Sequence, residues 1–87
     1  MTKLCFADGC TESISRRYLM CLAHWNKVPL DIQRRVYATR RATDRDGIRP
    51  YLIARSEAKA AVAELEGHSE IASVIRGWIA REVWCWL

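Results

Sequence analysis

One spacing limits what this chain can fold into more than any other. Cys5 is followed by Cys10, then Cys21, then His24. Three thiols and one imidazole are the donor set of a structural zinc site, which holds its ion tetrahedrally at about 2.0–2.3 Å. Gly9 lets the chain double back between Cys5 and Cys10, so that both sulfurs face one point. Cys21 and His24 are three apart and share one face of a helical turn. The spacing therefore predicts a treble-clef-like or finger-like knuckle, with one Zn²⁺ held by Cys5, Cys10, Cys21 and His24. The competing reading is a framework of disulfides or buried thiols with His24 as a bystander. Disulfides need an oxidising compartment, and Met1-Thr2-Lys3-Leu4 runs into a cysteine instead of the apolar core of a signal peptide. Reduced thiols and a cytoplasmic location are expected. Cys85 and His68 lie far down the chain.

A chain of 87 residues is expected to form one domain. At that size folding buries only about 60% of the unfolded surface, so the core is marginal. A bound metal is the natural remedy: zinc binding in finger peptides is worth roughly 10–16 kcal/mol, and it is folding energy. An apolar content of 51% argues for a folded chain. No stretch approaches the roughly 20 apolar residues that span a bilayer. The net charge of +4 is concentrated in the cysteine half: ten Lys/Arg against five Asp/Glu through Pro50, then four against five. Polyanions are therefore candidate partners, and a solvated basic face is the plain alternative.

The rest reads as helices. Residues 11–15 are polar and suit a turn or short strand, with a hairpin ahead of the first helix. Cys21 to Lys27 reads as a short helix on which Trp25 packs over the metal site. Pro29 opens a second helix to about Thr43, with Asp31 in its first turn. Leu30, Ile32, Val36 and Tyr37 form its apolar side. Arg34, Arg35, Arg40, Arg41 and Arg45 fall mostly elsewhere and are the candidate nucleic-acid contacts, although no aromatic residues interleave them for base stacking. Residues 44–49 read as a loop. Pro50 opens a third helix to Glu66, with Tyr51 or Leu52, Ala54, Ala58, Ala61, Val62 and Leu65 as its stripe. Gly67 stops it.

Ser69 caps a last helix, Glu70 to Trp86, with Ile71, Val74, Ile75, Trp78, Ile79 and Val83 at i, i+3, i+4 spacing. It carries three of the four tryptophans. So apolar a helix is either sandwiched in the core or docked on something else. Trp78, Ile79, Trp84 and Trp86 are the candidate partner-binding residues. The chain is expected to be mainly α: a small zinc-stabilised domain with an N-terminal cysteine knuckle and three to four helices. Residues 1–28 would form the zinc module, 29–66 a helical hairpin and 68–87 an additional Trp-rich helix. No catalytic constellation stands out, because the metal takes all but His68 and Cys85 of the usual nucleophiles and bases. No enzyme activity is expected.

The segment from Met20 to Arg41 resembles short zinc-finger-like proteins of tailed phages and prophages of proteobacteria. Their pattern is Met-Cys-x-x-His-Trp, two residues, Val-Pro, then a helix ending in arginine; here it falls on Met20, Cys21, His24, Trp25, Val28 and Pro29. The alanine-rich helix with Tyr51, Leu52, Ala60, Ala61 and Val62 matches their usual ending, so the likeness covers roughly residues 4–66. It implies zinc binding by Cys5, Cys10, Cys21 and His24, a phage origin, and no enzyme. The helix from His68 to Leu87 departs from the short members. Small phage proteins of this kind often bind one host protein, such as a transcription, defence or cell-surface assembly factor, and that is the favoured expectation. The alternatives are a nucleic-acid-binding regulator using the arginine-rich helix, and a zinc-stabilised homodimer.

Overall fold

The computed structural model describes the backbone of residues 2–86 and the side chains of residues 2–82. A two-stranded antiparallel hairpin comes first. Strand β1 (Thr2–Leu4) pairs with β2 (Ser13–Ser15) in the register Thr2 to Ser15, Lys3 to Ile14 and Leu4 to Ser13. Five helices follow: α1 (Leu22–Trp25), α2 (Leu30–Arg41), α3 (Thr43–Asp46), α4 (Arg49–Leu65) and α5 (Ser69–Trp86). The domain is mainly α with an N-terminal cysteine cluster, as expected.

Helix α4 is the centre of the helical part and packs against both α2 and α5. Its composition explains how it serves two neighbours. Ala54, Ala58 and Val62 face the knuckle and α2, in one cluster with Cys5, Leu19, Met20 and Val36. Ala60 and Ala63 face α5 and close on Ala72, with Ile75 packed beside them. Alanine has no side chain beyond Cβ, so helix backbones approach closely on both sides. The sequence pattern exposed only the first of these stripes. Its last member is corrected: Leu65 is 66% exposed, while Val62 and Ala63 in the same turn are buried. The stripe expected on α5 also turns. Ala72 is buried, whereas Ile71 and Val74 are 39% and 70% exposed.

The connections follow local chemistry. Gly67, at φ +83°, ends α4. Its N–H donates to the Glu64 carbonyl at 3.2 Å, and the His68 N–H donates to Ala63 at 2.8 Å. Both bonds satisfy carbonyls that the helix end would otherwise orphan. Residues 44–49 are not all loop. The chain makes one further helical turn, α3, in which the Arg45 and Asp46 N–H groups both donate to Ala42. Gly47, at φ +81°, stops it, and α4 starts at Arg49 with Pro50 in its first turn. Gln33 donates to the carbonyls of Trp25 and Val28 at 2.9 and 3.1 Å, tying α2 to the end of α1. No described helix is long and apolar enough to cross a membrane.

Candidate metal centre

The knuckle is built by backbone hydrogen bonds. The Cys5 N–H donates to Glu12 across the mouth of the hairpin at 2.9 Å, and the Phe6 N–H donates to Leu19 at 3.1 Å. These two bonds tie the first cysteine and its neighbour to the segment that runs through β2 into the third. Within the loop, the Cys10 N–H donates to Ala7 at 3.2 Å, and Gly9 takes φ +74°. The Cys21 N–H points at Cys5 Sγ, 3.2 Å away. Helix α1 begins directly after Cys21, so one turn delivers His24 to the same point; the Trp25 N–H donates to the Cys21 carbonyl at 2.9 Å.

The ligating atoms of Cys5, Cys10, Cys21 and His24 all lie within 4.8 Å of one another. Ligands about 2.3 Å from a tetrahedral ion stand roughly 3.8 Å apart, so the cluster has close to the spacing a metal imposes. The three thiols are free, and no disulfide joins them. His24 Nδ1 faces the sulfurs, 3.0 Å from Cys21 and 3.7 Å from Cys5. The other ring nitrogen, Nε2, lies 2.5 Å from Glu66 Oε1. A proton on Nε2 leaves the Nδ1 lone pair free for a metal, and a carboxylate in this position fixes both tautomer and ring angle. Lys27 stands 3.9 Å from the same carboxylate oxygen.

The two thiols with displaced pKa values differ in cause. Burial pushes Cys5 up to about 11, and the neighbouring thiols Cys10 and Cys21 add to that, against the backbone N–H groups of Cys21 and Ala7. Burial also raises Cys21, but hydrogen bonds from the His24 backbone and ring, with smaller ones from Cys5 and Cys10, outweigh it and bring the thiol to about 7. Three thiols and an imidazole converging on one point, the imidazole braced from behind, can hold a metal ion.

Glu66 was not legible as part of this site, yet the sequence held a hint. Acidic residues at a helix C-terminus oppose the dipole, and α4 ends in Glu64 and Glu66 with no base in its last turn. Arg76 answers Glu64 at 2.6 Å and holds its carboxyl below the usual range. Glu66 is answered by the site itself. A second clasp joins Asp8 in the knuckle to His68 at the head of α5, at 3.3 Å.

The other expected site residues are placed as follows. Trp25 packs against the cluster that contains Cys5 and meets Tyr37 edge to face, with centroids 5.6 Å apart. Arg35 is spoken for by Glu57 at 2.5 Å, with Asp31 at 3.9 Å. Arg45 pairs with Asp46, and Arg40 donates to the Arg17 carbonyl at 2.7 Å. Arg34 and Arg41 are exposed on α2. All five arginines are solvent-exposed, and Arg35, Arg40 and Arg45 each also have a partner within the chain. Trp78 is half-buried, and Ile79 faces a small cavity shared with Ile32, Glu57 and Arg76. The side chains of Trp84 and Trp86 lie outside the described residues.

No protein-family profile, curated protein or solved structure matches the chain.

Proposed function

We propose that the chain is a non-enzymatic zinc-finger protein of phage or prophage origin that binds and modulates a host protein. The observation that carries the metal part is the complete donor set. Cys5, Cys10, Cys21 and His24 supply four protein ligands. Catalytic zinc keeps one position for water, whereas structural zinc is closed by four side chains. Thiolates with imidazole in a tetrahedral arrangement favour zinc over the hard cations. The phage origin rests on the Met20 to Arg41 pattern.

The partner surface is supported by the outer flank of α5. Ile71, Val74 and Trp78 recur at i, i+3 and i+7 and so share one side of the helix, while Ala72 and Ile75 face α4. Val74 is 70% exposed. Exposed apolar strips mark interaction surfaces, and tryptophan is a frequent energetic anchor there.

The test has two arms. Purified, reduced protein should contain one equivalent of zinc by elemental analysis. Tagged protein should capture a host protein from nuclease-treated bacterial lysate, and Val74→Ser with Trp78→Ala should lose that capture while keeping the zinc. Metal-free protein that is fully folded would refute the first arm. Capture that survives the double substitution would refute the second. A sizing column separates the homodimer reading from both.

A further inference from the structure

A groove of about 550 Å³ opens between the β1–β2 hairpin, α1 and α2. That volume lies within the range of about 300–1,000 Å³ usual for ligand sites. All three tyrosines of the chain, Tyr18, Tyr37 and Tyr51, line it together with Trp25. They come from four separate segments, so the interleaved aromatics missing from the sequence of α2 are supplied in space. Tyr18 and Tyr37 are 59% and 49% exposed, and the Tyr37 ring is steadied edge to face by Trp25.

The charge around these rings has one sign. Arg17 and Arg40 line the groove, and among the described residues no carboxylate does. Arg40 follows Tyr37 by one turn of α2, so ring and guanidinium are neighbours. The Arg17 carbonyl holds one of its nitrogens at 2.7 Å. The basic track continues beside Tyr51: the Arg55 guanidinium sits 5.9 Å from that ring and 4.9 Å from Phe6, and Lys59 stands 4.7 Å from Phe6. Lys3 on β1 lies close enough to Arg40, Arg55 and Arg16 to feel their charges.

We propose that this groove binds single-stranded nucleic acid, with bases stacked on Tyr18 and Tyr37 and phosphates on Arg17 and Arg40. Flat apolar faces alternating with negative charges match exposed rings alternating with cations. An acidic peptide would also satisfy the charge. It would need partners for its main chain, and Ser15 carries the only neutral hydroxyl in the lining besides the tyrosines. The residues are distinct from the α5 flank, so the inference goes beyond the docking reading and stands or falls separately.

The test is fluorescence anisotropy of a short fluorescein-labelled oligothymidylate with the zinc-loaded full chain, titrated over a range of salt. Binding should weaken with salt at a slope of about −0.7 per phosphate neutralised. Tyr18→Ala and Tyr37→Ala should each weaken it roughly ten-fold or more, while Tyr18→Phe keeps it, since stacking needs the ring and not the hydroxyl. Arg40→Gln should weaken binding and flatten the slope by about 0.7. Arg81→Gln, on α5 and outside the groove, should leave it unchanged. Zinc content and far-UV circular dichroism confirm that each variant is folded. Absence of binding at low salt would overturn the proposal. So would tyrosine variants that bind normally, or an Arg81 variant as weak as the Arg40 variant. An Asp/Leu-rich peptide that binds where the oligonucleotide does not would reassign the groove to a protein ligand.

Discussion

Glu66 offers the sharpest check on the metal centre, because it reports on the site without touching the ion. Its carboxylate lies 2.5 Å from His24 Nε2. Removing such a partner typically costs 10–100-fold in metal affinity. At fixed free zinc above saturation, that factor passes directly into folding stability as RT ln of the change, or about 1.4–2.7 kcal/mol. For a domain of this size, about 1 kcal/mol moves Tm by roughly 4–8 °C. Glu66→Ala should therefore lower Tm by about 5–20 °C in zinc-buffered solution, and chelator competition should show the matching loss of affinity. Glu66→Gln keeps an acceptor oxygen but loses the charge, so it should fall between. Lys27→Met is the control. Its ammonium is 46% exposed and 3.9 Å from the carboxylate, and a pair that open is worth little. If Glu66→Ala binds zinc within two-fold of the parent, the bracing argument is wrong. If the loss of Tm persists undiminished in excess chelator, Glu66 acts on the helix end and not through His24.

Cys21→Ser, or removal of the metal by a chelator, should unfold the domain cooperatively, since the roughly 10–16 kcal/mol of zinc binding exceeds what so small a core supplies; native circular dichroism without metal would refute this. Ala58→Leu should destabilise by about 1–3 kcal/mol through overpacking, because Ala58 on α4 is fully buried in the cluster with Cys5, Met20 and Val36; denaturant melts measure it. Zinc uptake should release protons in a pH-dependent way. The Cys5 thiol, near 11, is protonated throughout the neutral range and always gives up its proton. Cys21, brought down to about 7, is increasingly ionised as the pH rises through neutrality, so its share of the release should fall with rising pH. Calorimetry in two buffers of different ionisation enthalpy reads this directly, and a release independent of pH would refute it.

The cluster of Cys5, Cys10, Cys21 and His24 was legible because its members are local. A metal knuckle is specified by spacing, glycine and one helical turn, all within a single run of chain. Helix limits were legible where proline and glycine punctuate, as at Pro50 and Gly67. The misreadings share one cause, which is that tertiary neighbours decide which apolar or charged face is used. Nothing in the spacing of α2 pairs Arg35 with Glu57, which α4 brings beside it. Val74 matched the core stripe of α5 by period, but the alanines of α4 draw in Ala72 instead and leave Val74 in solvent. Glu66 and the tyrosine groove depend on contacts between segments that no periodicity connects.

The distribution of large side chains ties the metal to the binding surfaces. Among the described residues Val62 is the largest that is fully buried, and much of the rest of the core is alanine, with Cys5, Leu19, Met20, Val28 and Val36. Small buried residues bring helices close but withdraw little apolar area from water, and stabilisation scales with that area. The bulky groups that would ordinarily fill a core, among them Tyr18, Leu22, Tyr37 and Val74, stand exposed. Among the described residues, the Cys₃His cluster is a junction where a bound metal would add free energy to that limited burial. Cys21 belongs to that cluster and also borders the tyrosine groove. Through His24 and Glu66 the same cluster reaches the end of α4. A zinc ion held by this cluster would anchor the groove wall and the helix end together, so removing it should abolish ligand binding in the groove in step with zinc content, with no lag.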